Sequence, residues 1–319
     1  MNDEANNRVL VLGSTGFIGA HFVRRLAGLG YQVQALAHSE SDASHANVHH
    51  VRGSLHDAPL IRDLVSQCAY IVHAASLTTP SVSASSPGLE INGNLDALAQ
   101  LLSLAGEFPQ RRLVYLSSAG AVYGNTTESA DENAPLRPKS YYGAGKVAAE
   151  AFIHACTATS TWQATILRPS NIYGPGQRMR RGFAIVPTLF SHASAGTTFE
   201  LWGNGDAVRD YCHVSDLVDL MVETIRRSSD APCIVCNAAS GETASVLALI
   251  AACERISGRK IAIAFRPARN IDATYVPLAT ELTRATFGWT ARTSLDEGLD
   301  QTWRSLLATD FHELASSRE

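Results

Sequence analysis

Between Arg8 and Gly19 the chain reads RVLVLGSTGFIG, a short β-branched and leucine run that stops on Gly13 and passes at once into a helical pattern, with Gly16 and Gly19 following at intervals of three. Strand, glycine turn and helix in direct succession are the context in which such glycines carry meaning. One allows the tight turn, one lets backbone approach a pyrophosphate, and one packs helix on strand. The helix N-terminus then turns free N–H groups and a favourable dipole toward those phosphates.

Further apolar runs, Gln32 to Leu36, Tyr70 to Ala74, Leu113 to Leu116, Ala164 to Leu167 and Cys233 to Asn237, alternate with helical segments. That rhythm predicts parallel strands with helical crossovers, an α/β fold with a doubly wound parallel sheet. It breaks between Gly174 and Tyr211, where Pro175, Gly176, Pro187, Gly196, Gly203 and Gly205 crowd together. The expected organisation is therefore two interleaved lobes: residues 1–172 with 211–240 returning to them, and a smaller mixed α/β lobe from 173–210 and 241–319.

The 319 residues are 45% apolar and 18% charged, enough for one large core or two modest ones in a globular chain. A net charge of −4 leaves no electrostatic footprint for nucleic acid or an anionic membrane, so a small-molecule partner is expected. Met1 to Arg8 is polar, and no apolar run reaches the roughly 18 residues of a membrane span. A cytoplasmic protein is the expectation. Six scattered cysteines fit reduced core thiols. Cys233 and Cys236, three apart in an extended segment, face opposite sides of a sheet and do not make a metal site. The histidines from His38 to His56, with His45, His49 and His50 among them, match no zinc spacing and read as a polar loop leading into a strand.

Tyr142 and Lys146 stand four apart in SYYGAGKVAAE, a helical stretch that puts both side chains on one face. A free phenol titrates near about 10, and a fixed ammonium beside it favours the phenolate, so the expectation is a tyrosine pulled toward neutrality and able to exchange a proton with a hydroxyl or carbonyl.

In order the chain shows GSTGFIG, IVHAAS, LSSAGAVYG, YYGAGK, RPSNIYGPGQ and LWGNGDAVRDYCHVSDLV. With these six blocks across residues 13 to 220 it resembles the extended short-chain dehydrogenase/reductases of the NAD-dependent epimerase/dehydratase type, which act on nucleotide sugars. The resemblance implies a dinucleotide-binding Rossmann domain and a substrate-binding lobe. It implies that Gly13, Thr15, Gly16, Phe17, Ile18 and Gly19 cradle a nicotinamide dinucleotide and that Ala74 and Ala75 lie against it. Tyr142 and Lys146 match the catalytic pair, the lysine also holding the cofactor ribose. Asn171 and Arg209 match substrate contacts near the diphosphate, the arginine fork suiting phosphate oxygens. An ion pair of Arg209 with Asp210 or Asp216 is the competing structural reading. Arg178, Arg180 and Arg181 read first as a solvated basic loop.

Two departures sharpen the expectation. Three residues before Val122, where a serine or threonine is usual, stands Ala119; Ser118 one step earlier is the expected hydroxyl to bond the sugar O4, with Ser117 in reserve. Sugar dehydratases carry an acidic pair after that hydroxyl, because removing water needs an acid and a base. Ala119, Gly120 and Ala121 fill those places, which argues against a dehydratase and against a decarboxylase needing a glutamate there. At the end of the second strand Ala37 stands where an aspartate selects NAD, and His38 and Ser39 follow, so NAD and NADP are nearly balanced. The expected function is a 4-epimerase of a UDP- or dTDP-hexose. An NADPH-dependent reductase of a nucleotide-linked 4-keto-6-deoxyhexose is the alternative, and a non-catalytic cofactor-sensing protein the alternative of another class. The resemblance also implies a homodimer built from helices around Asn92 to Ala105 and Lys146 to Ala158.

Overall fold

The computed structural model describes residues 7–38, 45–79, 86–126, 128–179, 184–227, 231–268 and 275–316. Ser39, Arg180 and Arg181 lie outside them.

In chain order the strands are β1 (Arg8–Leu12), β2 (Gln32–Ala37), β3 (Val48–Arg52), β4 (Tyr70–His73), β5 (Arg112–Leu116), β6 (Gln163–Pro169), β7 (Asn171–Tyr173), β8 (Phe199–Trp202), β9 (Val208–His213), β10 (Cys233–Ala238), β11 (Thr243–Ser245), β12 (Ile263–Arg266) and β13 (Tyr275–Val276). The helices are α1 (Phe17–Gly28), α2 (Ala58–Gln67), α3 (Pro87–Glu90), α4 (Asp96–Ser103), α5 (Ala119–Val122), α6 (Tyr141–Thr159), α7 (Ile185–Ala195), α8 (Val214–Arg226), α9 (Val246–Ser257), α10 (Glu281–Phe287) and α11 (Leu295–Ser316). A π-helical turn, Ile91–Leu95, joins α3 to α4.

Seven strands form one sheet in the order β10-β6-β5-β4-β1-β2-β3, every neighbouring pair parallel. All five apolar runs of the sequence become strands of this sheet. The strands are buried on both faces, which is why they read as continuous apolar runs and not as an alternation. Val9 and Val11 of β1 face the layer holding Phe22, Leu26, Leu217 and Met221, while Leu10 and Leu12 face the opposite layer of Ile61, Leu98, Leu101 and Ile153. Cys236 joins the first layer and Cys233 the second, so the two thiols lie on opposite faces. Helix α8 buries Val214, Leu217, Val218, Met221 and Ile225 at helical spacing, the stripe that seats it on the sheet.

The histidine-rich stretch differs from expectation. His49 and His50 are not loop but belong to β3, paired with Gln34 and Ala35. An edge strand takes its hydrogen bonds from one neighbour and exposes much of its surface, so VHHVR needs no apolar run to pair.

From β1 the chain moves outward to β2 and β3, then returns to the other side of β1 to lay down β4, β5, β6 and finally β10. The carboxyl ends of β1 and β4 therefore flank the point where the winding reverses, the place at which open α/β sheets bind ligands. Outside this sheet, β7, β9, β11 and β13 form a small mixed sheet and β8 pairs with β12. With α7, α9 and α11 they enclose a third core, in which Phe190 and Trp303 lie 5.2 Å apart. No helix among the described residues is long and apolar enough to cross a membrane.

Candidate active site

At the reversal point the β1–α1 turn is pinned from below: the Gly13 and Ser14 amides both donate to the Leu36 carbonyl at 3.1 Å, and the Gly16 amide to Gly13 O at 3.1 Å. Gly13 sits at φ +89°, and a Cβ there would stand 2.7 Å from the Ala75 backbone. Gly19 faces the Gly13 carbonyl so closely that a Cβ would overlap it. Helix α1 begins at Gly16 with no side-chain cap and no acidic residue in its first turn, and Thr15 and Gly16 are exposed above it. Uncapped N–H groups, a bare approach and the small residues Ala74 and Ala75 opposite fit a dinucleotide pyrophosphate. Ala37, buried, ends β2 on the same edge, and His38 follows it exposed.

One strand beyond β4, β5 is followed by Ser117 and Ser118. The Ser140 hydroxyl starts α6 by accepting from the Gly143 amide at 3.1 Å, and the first turns of that helix carry Tyr142 and Lys146. Glycines in YYGAGK make the approach possible. A Cβ on Gly143 would strike the Ala121 carbonyl, and one on Gly145 would strike the Glu90 side chain. The helix can thus lie against the serine loop on one side and the α3 segment on the other. The Ser118 hydroxyl hydrogen-bonds Tyr142. Lys146, 5% exposed, donates from Nζ to the Leu116 carbonyl at 2.8 Å and to the Tyr115 hydroxyl at 3.2 Å. Its ammonium lies 5.7 Å from the Tyr142 ring centroid.

The charge state of this pair corrects the expectation from sequence. Tyr142 is pushed up to about 12, first by burial, with Ser118 opposing and the Glu90 charge adding to the rise. Lys146 is brought down to about 8 by burial, against the pull of Glu90 and Glu150. Desolvation outweighs attraction because the lysine spends its hydrogen bonds on Leu116 and Tyr115 rather than on the phenol. His73, at the end of β4 and 5.4 Å from the Tyr115 ring, is held neutral at about 3 by burial and by the Lys146 charge. Tyr142 is therefore the group placed to exchange a proton.

Ser117, the expected reserve, gives its hydroxyl to Glu150 instead. That contact opens a buried network the sequence did not reveal. Arg168 donates to both Glu150 oxygens, Nη2–Oε2 at 2.6 Å, to the Tyr123 hydroxyl at 2.8 Å and to the Glu132 carbonyl at 3.1 Å. The Tyr123 hydroxyl in turn donates to Asn237 Oδ1 at 2.7 Å.

Asn171 and Arg209 come together on the small sheet. Asn171 pairs in register with Tyr211 and donates to the Asp210 carbonyl at 2.9 Å. Arg209 donates to the Val208 carbonyl at 2.9 Å. The carboxylates offered as its structural partners have other tasks: Asp210 accepts from Ser240 and Gly241, and Asp216 caps the Arg292 and Thr293 amides. Arg178 is exposed.

The chain resembles known proteins in sequence and in fold. The chain is 30% identical over 307 residues to a UDP-glucose 4-epimerase of Mycolicibacterium smegmatis, covering 92% of this chain and 97% of the relative. It is 29% identical to a dTDP-4-dehydro-6-deoxy-D-allose reductase of a Streptomyces species, over 84% of this chain and 87% of that protein. Its fold superposes on the UDP-glucose 4-epimerase of Thermus thermophilus in complex with NAD with a TM-score of 0.87, at 26% identity, covering 94% of this chain and 99% of that one. The sequence profile of the NAD dependent epimerase/dehydratase family matches residues 9–237, well over half of the length, and the chain belongs to that family.

Proposed function

We propose that the protein is a nucleotide-sugar 4-epimerase acting on a UDP- or dTDP-hexose. The observation that carries this reading is the Ser118–Tyr142 contact beside Lys146 at the reversal point of the sheet, with only Ala119, Gly120 and Ala121 following the hydroxyl. Those residues support proton exchange and offer no second acid or base for elimination.

Gly13, Gly16 and Gly19, with Ala74 and Ala75, would hold NAD, which when bound supplies a hydride acceptor able to take hydrogen from sugar C4 and give it back. Tyr142 takes the proton of the 4-hydroxyl and later returns it. Ser118, bonded to the phenol, aligns the same hydroxyl. Lys146 contributes positive charge beside the phenol, stabilising the phenolate form while the proton is away. Asn171 and Arg209 hold the diphosphate, which fixes one end of the substrate while the sugar turns.

The reading is tested by incubating the purified protein with UDP-, dTDP- and GDP-hexoses, with and without added NADPH. The expected result is C4 epimers of a UDP- or dTDP-sugar formed without added cofactor. Stoichiometric NADPH loss with 4-keto sugars alone would replace it by the reductase, a reading favoured by Ala37 and the exposed His38, where no carboxylate stands to bind a ribose 2′-hydroxyl.

The exposed apolar side chains Leu89, Ile91 and Phe152 lie on α3, the π turn and α6. With Leu89 and Ile91 just before the Asn92 to Ala105 segment and Phe152 within Lys146 to Ala158, they support a homodimer formed through those two segments; a cytoplasmic location is a separate part of the proposal. Sedimentation is expected to give twice the chain mass, and Phe152→Glu to return it to the monomer; a monomeric parent protein would end this proposal.

A further inference from the structure

Two carboxylates act on the Tyr142/Lys146 pair, and they are not equivalent. Glu150 is locked to the Arg168 guanidinium, so its charge is already matched. Glu90, 3% exposed, is bonded among the described residues only to neutral donors: the Thr78 hydroxyl and the Asn94 amide at 2.9 Å. In both bonds it accepts. Asn94 holds the segment further, donating to Thr78 Oγ1 at 2.8 Å and accepting from the Leu77 amide at 3.0 Å. A buried carboxylate without a cation of its own is costly unless a positive group nearby offsets it. The geometry supplies one. Glu90 ends α3 where the π turn begins, and its side chain rests against Gly145, the residue before Lys146 and one turn from Tyr142. π turns inside helices recur at functional sites because they re-aim side chains.

We propose that Glu90 is a positioning residue for the catalytic pair: clamped by Thr78 and Asn94 against Gly145, it supplies the unmatched negative charge that faces Lys146 and Tyr142. This rests on the epimerase reading only for its effect on turnover. Its charge reaches Lys146 and Tyr142 on α6 and Tyr115 on β5, while Glu150 on α6 and His73 on β4 lie about the lysine. Of these the lysine alone carries an unmatched positive charge, because the phenols and the imidazole are neutral. The Glu90 charge raises both Lys146 and Tyr142, so removing it lowers both.

The test is Glu90→Gln, which keeps the shape and removes the charge. The pH limits of kcat/KM, set by the two coupled ionisations of the pair, are expected to move to lower pH by roughly one unit. A second readout needs no sugar nucleotide: the tyrosinate absorbance lost on Tyr142→Phe, followed with pH in the wild-type and Glu90→Gln backgrounds, should appear at lower pH in the latter. The phenolate signal stands even if the protein turns over no sugar nucleotide, so failure of the epimerase reading and failure of this one are distinct results. Should the glutamine variant melt below assay temperature, Glu90→Asp retains the charge one methylene further back and is expected to shift both readouts in the same direction by less. Reduced turnover with unmoved pH limits and an unmoved phenolate signal would show a merely structural residue and overturn the proposal.

Discussion

Tyr142→Phe is expected to lower kcat by about 10²- to 10⁴-fold, the range that positioned proton transfer contributes, with little change in folding stability. The substitution removes one oxygen. The ring stays in place, still 5.7 Å from the Lys146 ammonium, and the bond lost is the one to Ser118. Three neighbouring groups cannot take over. His73 is held neutral, brought down to about 3 by burial, the Tyr115 phenol is held well above its ordinary value by burial, and the Ser117 hydroxyl is committed to Glu150. Because burial pushes the phenol up to about 12, the free protein holds it protonated at neutral pH, and the phenolate that the proposed proton exchange calls for is a minor form. Single-turnover measurement of the bound cofactor's absorbance would separate the chemical step from substrate binding, and a phenylalanine variant keeping more than about a tenth of wild-type kcat would remove Tyr142 from the mechanism.

The largest stability effect is expected at a residue outside the chemistry. Arg168→Ala should cost about 3–5 kcal/mol, because it leaves Glu150 as an uncompensated charge inside the protein. Both side chains are about 5% exposed or less, and the guanidinium also serves Tyr123 and the Glu132 carbonyl, so one truncation strips several acceptors of their donor. Replacing both partners with apolar residues, Arg168→Met with Glu150→Leu, is expected to cost less than Arg168→Ala alone, since no charge is then stranded. Urea unfolding of the two variants beside the wild type measures this. A loss below about 1 kcal/mol for Arg168→Ala would mean that water or a rearranged side chain satisfies Glu150.

What the sequence disclosed and what it hid divide along a physical line. The sheet was legible because burial on both faces leaves a continuous apolar run, and the glycine turn because its steric demand is local. Tyr142 and Lys146 were legible because helical spacing fixes their relative position. β3 escaped because an edge strand carries no such pattern. Glu90 and the Arg168 network escaped because their meaning lies in contacts between distant segments: Arg168 meets Glu150 eighteen residues away, and Tyr123 meets Asn237 across 114. Two signals were present all the same. Gly143 and Gly145 inside an otherwise helical run announce that something packs closely on both sides of α6, and an arginine embedded in the apolar strand ATILRPS demands a buried partner. The charge state of Tyr142 could not be read from spacing at all, since proximity to a lysine and desolvation act in opposite directions and only the packing decides between them.

The route of the chain after β6 carries a consequence for how such proteins diversify. β7 and β9 enter the small sheet, α8 and β10 go back to the large one, β11 and α9 leave again, and Trp289 is once more packed beneath α8 before α11 closes the outer core. A single recombination point therefore cannot exchange one lobe whole for another, because every cut divides at least one of them. Change in the small lobe then comes by replacing individual side chains and loops on an undivided scaffold.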